Sequence, residues 1–139
     1  MSSENNVINP LWLYCRDSTT EDFVDLDVLI DSNIENINYL AGRIDEFKVP
    51  PLIAILISNK TTTRKYKDVK HLLDRGANVN CLDESGQNSL GYMLKAYPWA
   101  NEEQKKIIDL LESYGAILVR GQSTSFYFDL YLEGDDFVS

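Results

Sequence analysis

The residues able to do chemistry in this chain are few and scattered. His71 is the single histidine, and Cys15 and Cys81 are the two cysteines. Together they are three soft metal ligands at unrelated spacings, without the close pairs that a zinc site shows. Neither cysteine lies near the histidine in sequence, so a Cys–His nucleophile would have to be assembled by folding. His71 stands beside Leu72 on a predicted helix, which suits packing or a loop hydrogen bond better than proton transfer. The stretch Gly115 to Gly121 (G-A-I-L-V-R-G) lacks the lysine of a phosphate loop and follows a helix. Acids are abundant, but no pattern singles out a working pair of carboxylates. The expectation is a non-catalytic chain with no cofactor and no metal.

Composition narrows the partners. Hydrophobic residues make up 44% of 139 residues, enough to bury one core. The formal net charge is −9 and the pI about 4.5, so the chain repels nucleic acid and anionic membrane and favours basic proteins. Met1 to Pro10 has no basic region followed by an apolar run, so no secretory signal is expected. The longest apolar run, Val49 to Ile57, contains Pro50 and Pro51 and is too short to span a bilayer. Two distant cysteines fit reduced thiols, and a cytoplasmic location is expected. Charge is uneven. Residues 1–46 balance to −8, residues 47–80 to +5 and residues 81–139 to −6.

Positioning elements repeat along the chain. An apolar helix seam (Val69, Leu72, Leu73) runs into Gly76. A second seam (Ile107, Leu110, Leu111) runs into Gly115, 39 positions later. The helix starts also recur. Asn9-Pro10-Leu11, Pro50-Pro51-Leu52 and Asn88-Ser89-Leu90 place Leu11, Leu52 and Leu90 at intervals of 41 and 38. Leu52, Ile55, Leu56 and Leu90, Met93, Leu94 follow helical spacing. Breaks at Ser58–Thr63 and Pro98 precede second helices, expected near Lys65 and Asn101, with Asn101 as a cap. Gly76 and Gly115 suit the left-handed residue that ends a helix, and Asn33 is expected in that position in the first copy.

Val69 to Leu90 resembles the junction between two ankyrin repeats. The match is strongest at Gly76-Ala77-Asn78-Val79-Asn80 followed by Asp83 and Gly86. The openings N-P-L-W-L-Y, P-P-L-I-A-I and N-S-L-G-Y-M keep the leucine of the family's T-P-L-H-x-A but lack its Thr and His. The period exceeds the family's roughly 33 residues. The resemblance implies an all-α helical repeat solenoid of about three helix pairs with short hairpin loops. Its repeats would cover about residues 7–47, 48–86 and 87–122 of a single domain. Residues 123–139 would form a capping tail, either a short helix or an alternating strand through Phe126 to Leu132. An irregular helical stack of another repeat family is the alternative.

Carried over by position, the resemblance puts binding on the hairpin tips and the inner face of the first helices. The tips are Asp45 and Glu46, then Asp83 and Glu84. Inner-face candidates are Trp12, Tyr14, Arg16, Tyr92, Lys95 and Trp99, with Trp99 as an exposed anchor. The basic strip from Lys60 to Lys70 is expected on the loop and outer helix, balancing neighbouring repeats. Two functions fit. One is an immunity- or inhibitor-type protein that neutralises a basic partner, such as a toxin acting on nucleic acid. The other is an adaptor that links a client to larger machinery, with Phe126 to Val138 as its second docking element.

Overall fold

The computed structural model describes residues 9–17, 25–42, 46–94 and 101–118. Among these residues the fold is all-α. There are six helices: α1 (Pro10–Asp17), α2 (Leu26–Ser32), α3 (Pro51–Ile57), α4 (Thr62–Asp74), α5 (Ser89–Leu94) and α6 (Glu102–Ser113). None of them is long and apolar enough to cross a membrane. The tail from residue 123 lies outside the described residues.

Local chemistry sets the helix starts. The first amides of a helix have no intrahelical partner, so a side-chain oxygen just before them is stabilising. Asn9 Oδ1 accepts from Trp12 N at 2.8 Å. Asp25 accepts from Asp27 N and Val28 N. Asn101 and Gln104 form a reciprocal capping box on α6, at the start expected from the sequence. Thr61 Oγ1 accepts from Arg64 N, so α4 begins at Thr62 rather than near Lys65. The threonine run read as loop contains the cap.

Helix ends show both agreement and a correction. Gly76 and Gly115 adopt φ of 99° and 93°. In both places the glycine amide bonds to the carbonyl three residues back, and the following alanine amide bonds to the one five back: Gly76 to Leu73 and Ala77 to Leu72, then Gly115 to Glu112 and Ala116 to Leu111. Asn33 does not repeat this geometry. Its φ is −125°, its Nδ2 donates to Leu29 O at 2.9 Å, and the chain continues into a 3-10 turn over Ile34–Asn36. That side-chain bond satisfies a helix-end carbonyl without a left-handed residue.

Packing sorts the helices into two rows. α1 lies on α3 and α3 on α5, while α2 lies on α4 and α4 on α6. The rows are joined by α1 with α2, α3 with α4, and α5 with α6. α3 is therefore covered on several sides, and Pro51 through Leu56 are all buried. That explains a helix written P-L-I-A-I-L-I, with no polar face. One core runs through Trp12, Ile30, Ile53, Ile55, Leu72 and Leu111, and a smaller one gathers Leu90, Leu94 and Ile108.

Before α3 the chain doubles back. Ala41 and Val49 exchange backbone bonds of 3.0 and 2.9 Å, an isolated antiparallel bridge. Gly42 sits inside this reversal. A Cβ there would stand 3.1 Å from Phe47 O and 3.2 Å from Lys48 Cα, both backbone atoms, so a side chain at this position requires the opposite arm to give by a few tenths of an ångström.

Candidate interaction surface

Two loop tips lie side by side. Lys48 O accepts from Glu84 N at 2.9 Å, and Lys48 N donates to Glu84 Oε1 at 3.0 Å. The second loop is closed by Asp83 N to Gln87 O at 2.8 Å and Gly86 N to Asp83 O at 3.1 Å. Glu46 and Glu84 are exposed, and Phe47, which follows Glu46 and precedes the Lys48 backbone that Glu84 holds, presents 64% of its surface to solvent. Tyr39 and Leu82 are exposed on the same pair of loops, where Cys81 Sγ contacts Asn38 O at 3.7 Å. An apolar ring flanked by acids in this way can seat in a pocket rimmed by bases.

Asp83 does something else. It is 5% exposed. Its Oδ1 accepts from Ser85 N at 2.8 Å, Ser85 Oγ at 2.7 Å and Gln87 N at 2.9 Å, and its Oδ2 accepts from the Tyr92 hydroxyl. Burial pushes its carboxyl pKa up. The hydrogen bonds from Tyr92, Gln87 and Ser85 outweigh burial and hold it below the ordinary carboxylate value. Burial first, and then the same contact, raises the Tyr92 phenol well above its ordinary value. Asp83 thus shapes the loop that presents Glu84 and is not itself presented.

The remaining expected residues divide. Trp12 is 1% exposed, and its Nε1 donates to Val49 O at 2.9 Å, tying α1 to the base of the first loop. Tyr92 is half-buried and held by Asp83. Arg16 approaches Glu46 at 3.5 Å. Asp45, Lys95 and Trp99 lie outside the described residues. Phe47 was not singled out from the sequence. Its signal was a lone large apolar residue in the charged stretch Asp45-Glu46-Phe47-Lys48.

The basic strip is divided: Lys60 is buried, Arg64 and Lys65 are half-buried, and Lys67 and Lys70 are exposed. Lys60 Nζ meets Asp68 Oδ2 at 2.7 Å, with their side chains 0% and 3% exposed. The ammonium also sits 4.3 Å from the centroid of the Tyr14 ring. Arg64 donates to the Tyr14 hydroxyl at 3.0 Å. His71 Nδ1 meets Asp27 Oδ1 at 2.9 Å, and Arg75 pairs with Asp31. His71 and Arg75 of the second copy thereby answer acids of the first, while Lys60 and Asp68 both belong to the second. Burial pushes the neighbouring Cys15 thiol up to about 12, so it stays protonated. Cys81 is also raised by burial. Among the described residues no group of three or more His, Cys, Asp or Glu is placed to hold a metal ion. No family model matches the chain, and no curated protein matches it.

Proposed function

We propose that this chain is a non-catalytic, ankyrin-like helical solenoid that binds a basic partner protein and neutralises it, in the manner of an immunity or inhibitor protein. Two rows of helices and two helix ends closed in the same way support the solenoid. The observation that carries the binding reading is Phe47 standing in solvent beside Glu46 and Glu84. A single apolar anchor with acids around it favours a cationic surface with an apolar recess. The overall charge of −9 would speed the encounter.

The test is capture of partners from cell extract by the intact chain, followed by kinetics. One dominant basic protein is expected, with association slowing sharply as salt rises. The doubly charge-reversed Glu46→Lys, Glu84→Lys chain should lose the fast association, and Phe47→Ala should speed dissociation. Capture of many unrelated weak partners, or a salt-independent association rate, would overturn the reading.

A further inference from the structure

A cavity of about 160 Å³ opens between α3, α4, α5 and α6, at the ends of these helices remote from the loop tips. Its apolar wall is Leu56, Met93, Ile107 and the Tyr92 ring. Among the described residues, Lys65, Gln104 and Thr62 also line it, and each carries a hydrogen-bond donor. Lys65 is the charged one. Its ammonium donates to Leu56 O at 2.9 Å, which uses one of three N–H groups and fixes its position. Lys65 is half-buried, and burial lowers its pKa, as expected of an ammonium partly withdrawn from solvent. Gln104 is the second donor. Its Oε1 is committed to Asn101 N at 2.9 Å, so the amide NH₂ is the part left to offer. The hydroxyl of Thr62 is the third.

Such a space favours a ligand that is acceptor-only at one end and apolar at the other. Its volume is about five water-sized groups, well short of the roughly 300 Å³ at which pockets for drug-sized molecules begin. A nucleotide or extended cofactor would not fit within it. We propose that this cavity binds a small monocarboxylate with a short aliphatic body, its carboxylate on Lys65, Gln104 and Thr62 and its chain against Leu56, Met93 and Ile107. The site shares Tyr92 with the second loop, through its bond to Asp83, but does not depend on the partner-binding reading. Because the lining residues come from α4 and α6 as well as α3 and α5, an occupant would bridge neighbouring helix pairs and stabilise the native state by mass action.

The experiment titrates the intact chain with butyrate and, separately, with the uncharged isostere butyramide, following backbone amide resonances and the melting temperature. Butyrate should produce saturable shifts at residues around Lys65 and Gln104 and a rise in Tm, and butyramide neither. Lys65→Met keeps the stem but removes the charge, and should weaken butyrate binding by about tenfold or more, the loss of a charge-assisted hydrogen bond. Gln104→Glu retains the capping-box acceptor and therefore the helix start, yet puts a repelling carboxylate in the cavity. It should fold as well as the parent and lose butyrate binding. Equal binding of butyrate and butyramide, no saturation, or unchanged affinity in the folded Gln104→Glu chain would overturn the proposal.

Discussion

The two places where helix pairs meet are built from different chemistry. Between α1/α2 and α3/α4 the polar contacts centre on ionisable side chains: Arg75 with Asp31, His71 with Asp27, Arg64 with the Tyr14 hydroxyl, and the Lys60 ammonium, itself paired with Asp68, against the Tyr14 ring. Between α3/α4 and α5/α6 they are mostly neutral amides. Asn80 Oδ1 accepts from Ile117 N at 2.9 Å and from Asn88 Nδ2 at 3.2 Å, its Nδ2 donates to Gly115 O at 3.0 Å, and Asn88 Nδ2 also reaches Ile117 O at 2.7 Å. One device is shared. Asn38 Oδ1 accepts from Asn78 N as Asn80 Oδ1 accepts from Ile117 N, an asparagine reaching the backbone of the next pair. The lesson is that a repeated amide sets the register at both junctions, while the charge that differs between them is added around it.

The comparison breaks most visibly at the buried pair. Asp68→Ala leaves the Lys60 ammonium buried without its carboxylate, and should cost about 3–5 kcal/mol in urea unfolding. A loss below about 1 kcal/mol would mean that the pair is reached by water in solution. Next comes the shared asparagine. Asn80→Ala removes three bonds and leaves backbone groups near the third pair unanswered, for a loss of about 2–3 kcal/mol. Asn38→Ala removes the single bond to Asn78 and should cost about 1 kcal/mol. Equal effects at the two positions would dissolve the distinction between hub and simple link.

The smallest effect is a pH dependence at Asp83. Its folded carboxyl lies below the unfolded value of about 3.9, so its contribution is fully present above that pH. It is lost as pH falls through the lower folded value. The stability gap between the parent and Asp83→Asn should therefore hold steady near neutrality and narrow below about pH 4. A gap that widens on acidification would reverse the assignment.

Legibility in the sequence followed the range of the interaction. Gly76, Gly115 and the Asn101 cap were readable because a helix end is decided by residues within one turn. Asn33 misled because tolerance of a left-handed backbone is not a requirement for it. The bond to Leu29 O offered another way to finish α2. Asp83 reads as a loop acid, yet its fate depends on the Tyr92 hydroxyl arriving from the next helix. Lys60 reads as a solvated base. Its burial needs the ring of Tyr14, 46 positions earlier, to roof the site. Of the surface itself, the acids Glu46 and Glu84 were visible in the chain, while the exposure of Phe47 and the burial of Trp12 were settled only by packing.

The close approach at Gly42 channels how this surface can diversify. Glu46 and Phe47 point to solvent, so their letters can be exchanged one at a time, retuning grip while the scaffold stays put. A larger residue at 42 would press on the backbone of Phe47 and Lys48, so a change there reaches the frame of the loop and not one letter of it. Descendants drifting toward new targets are thus expected to rewrite the fingertip and leave its knuckle alone.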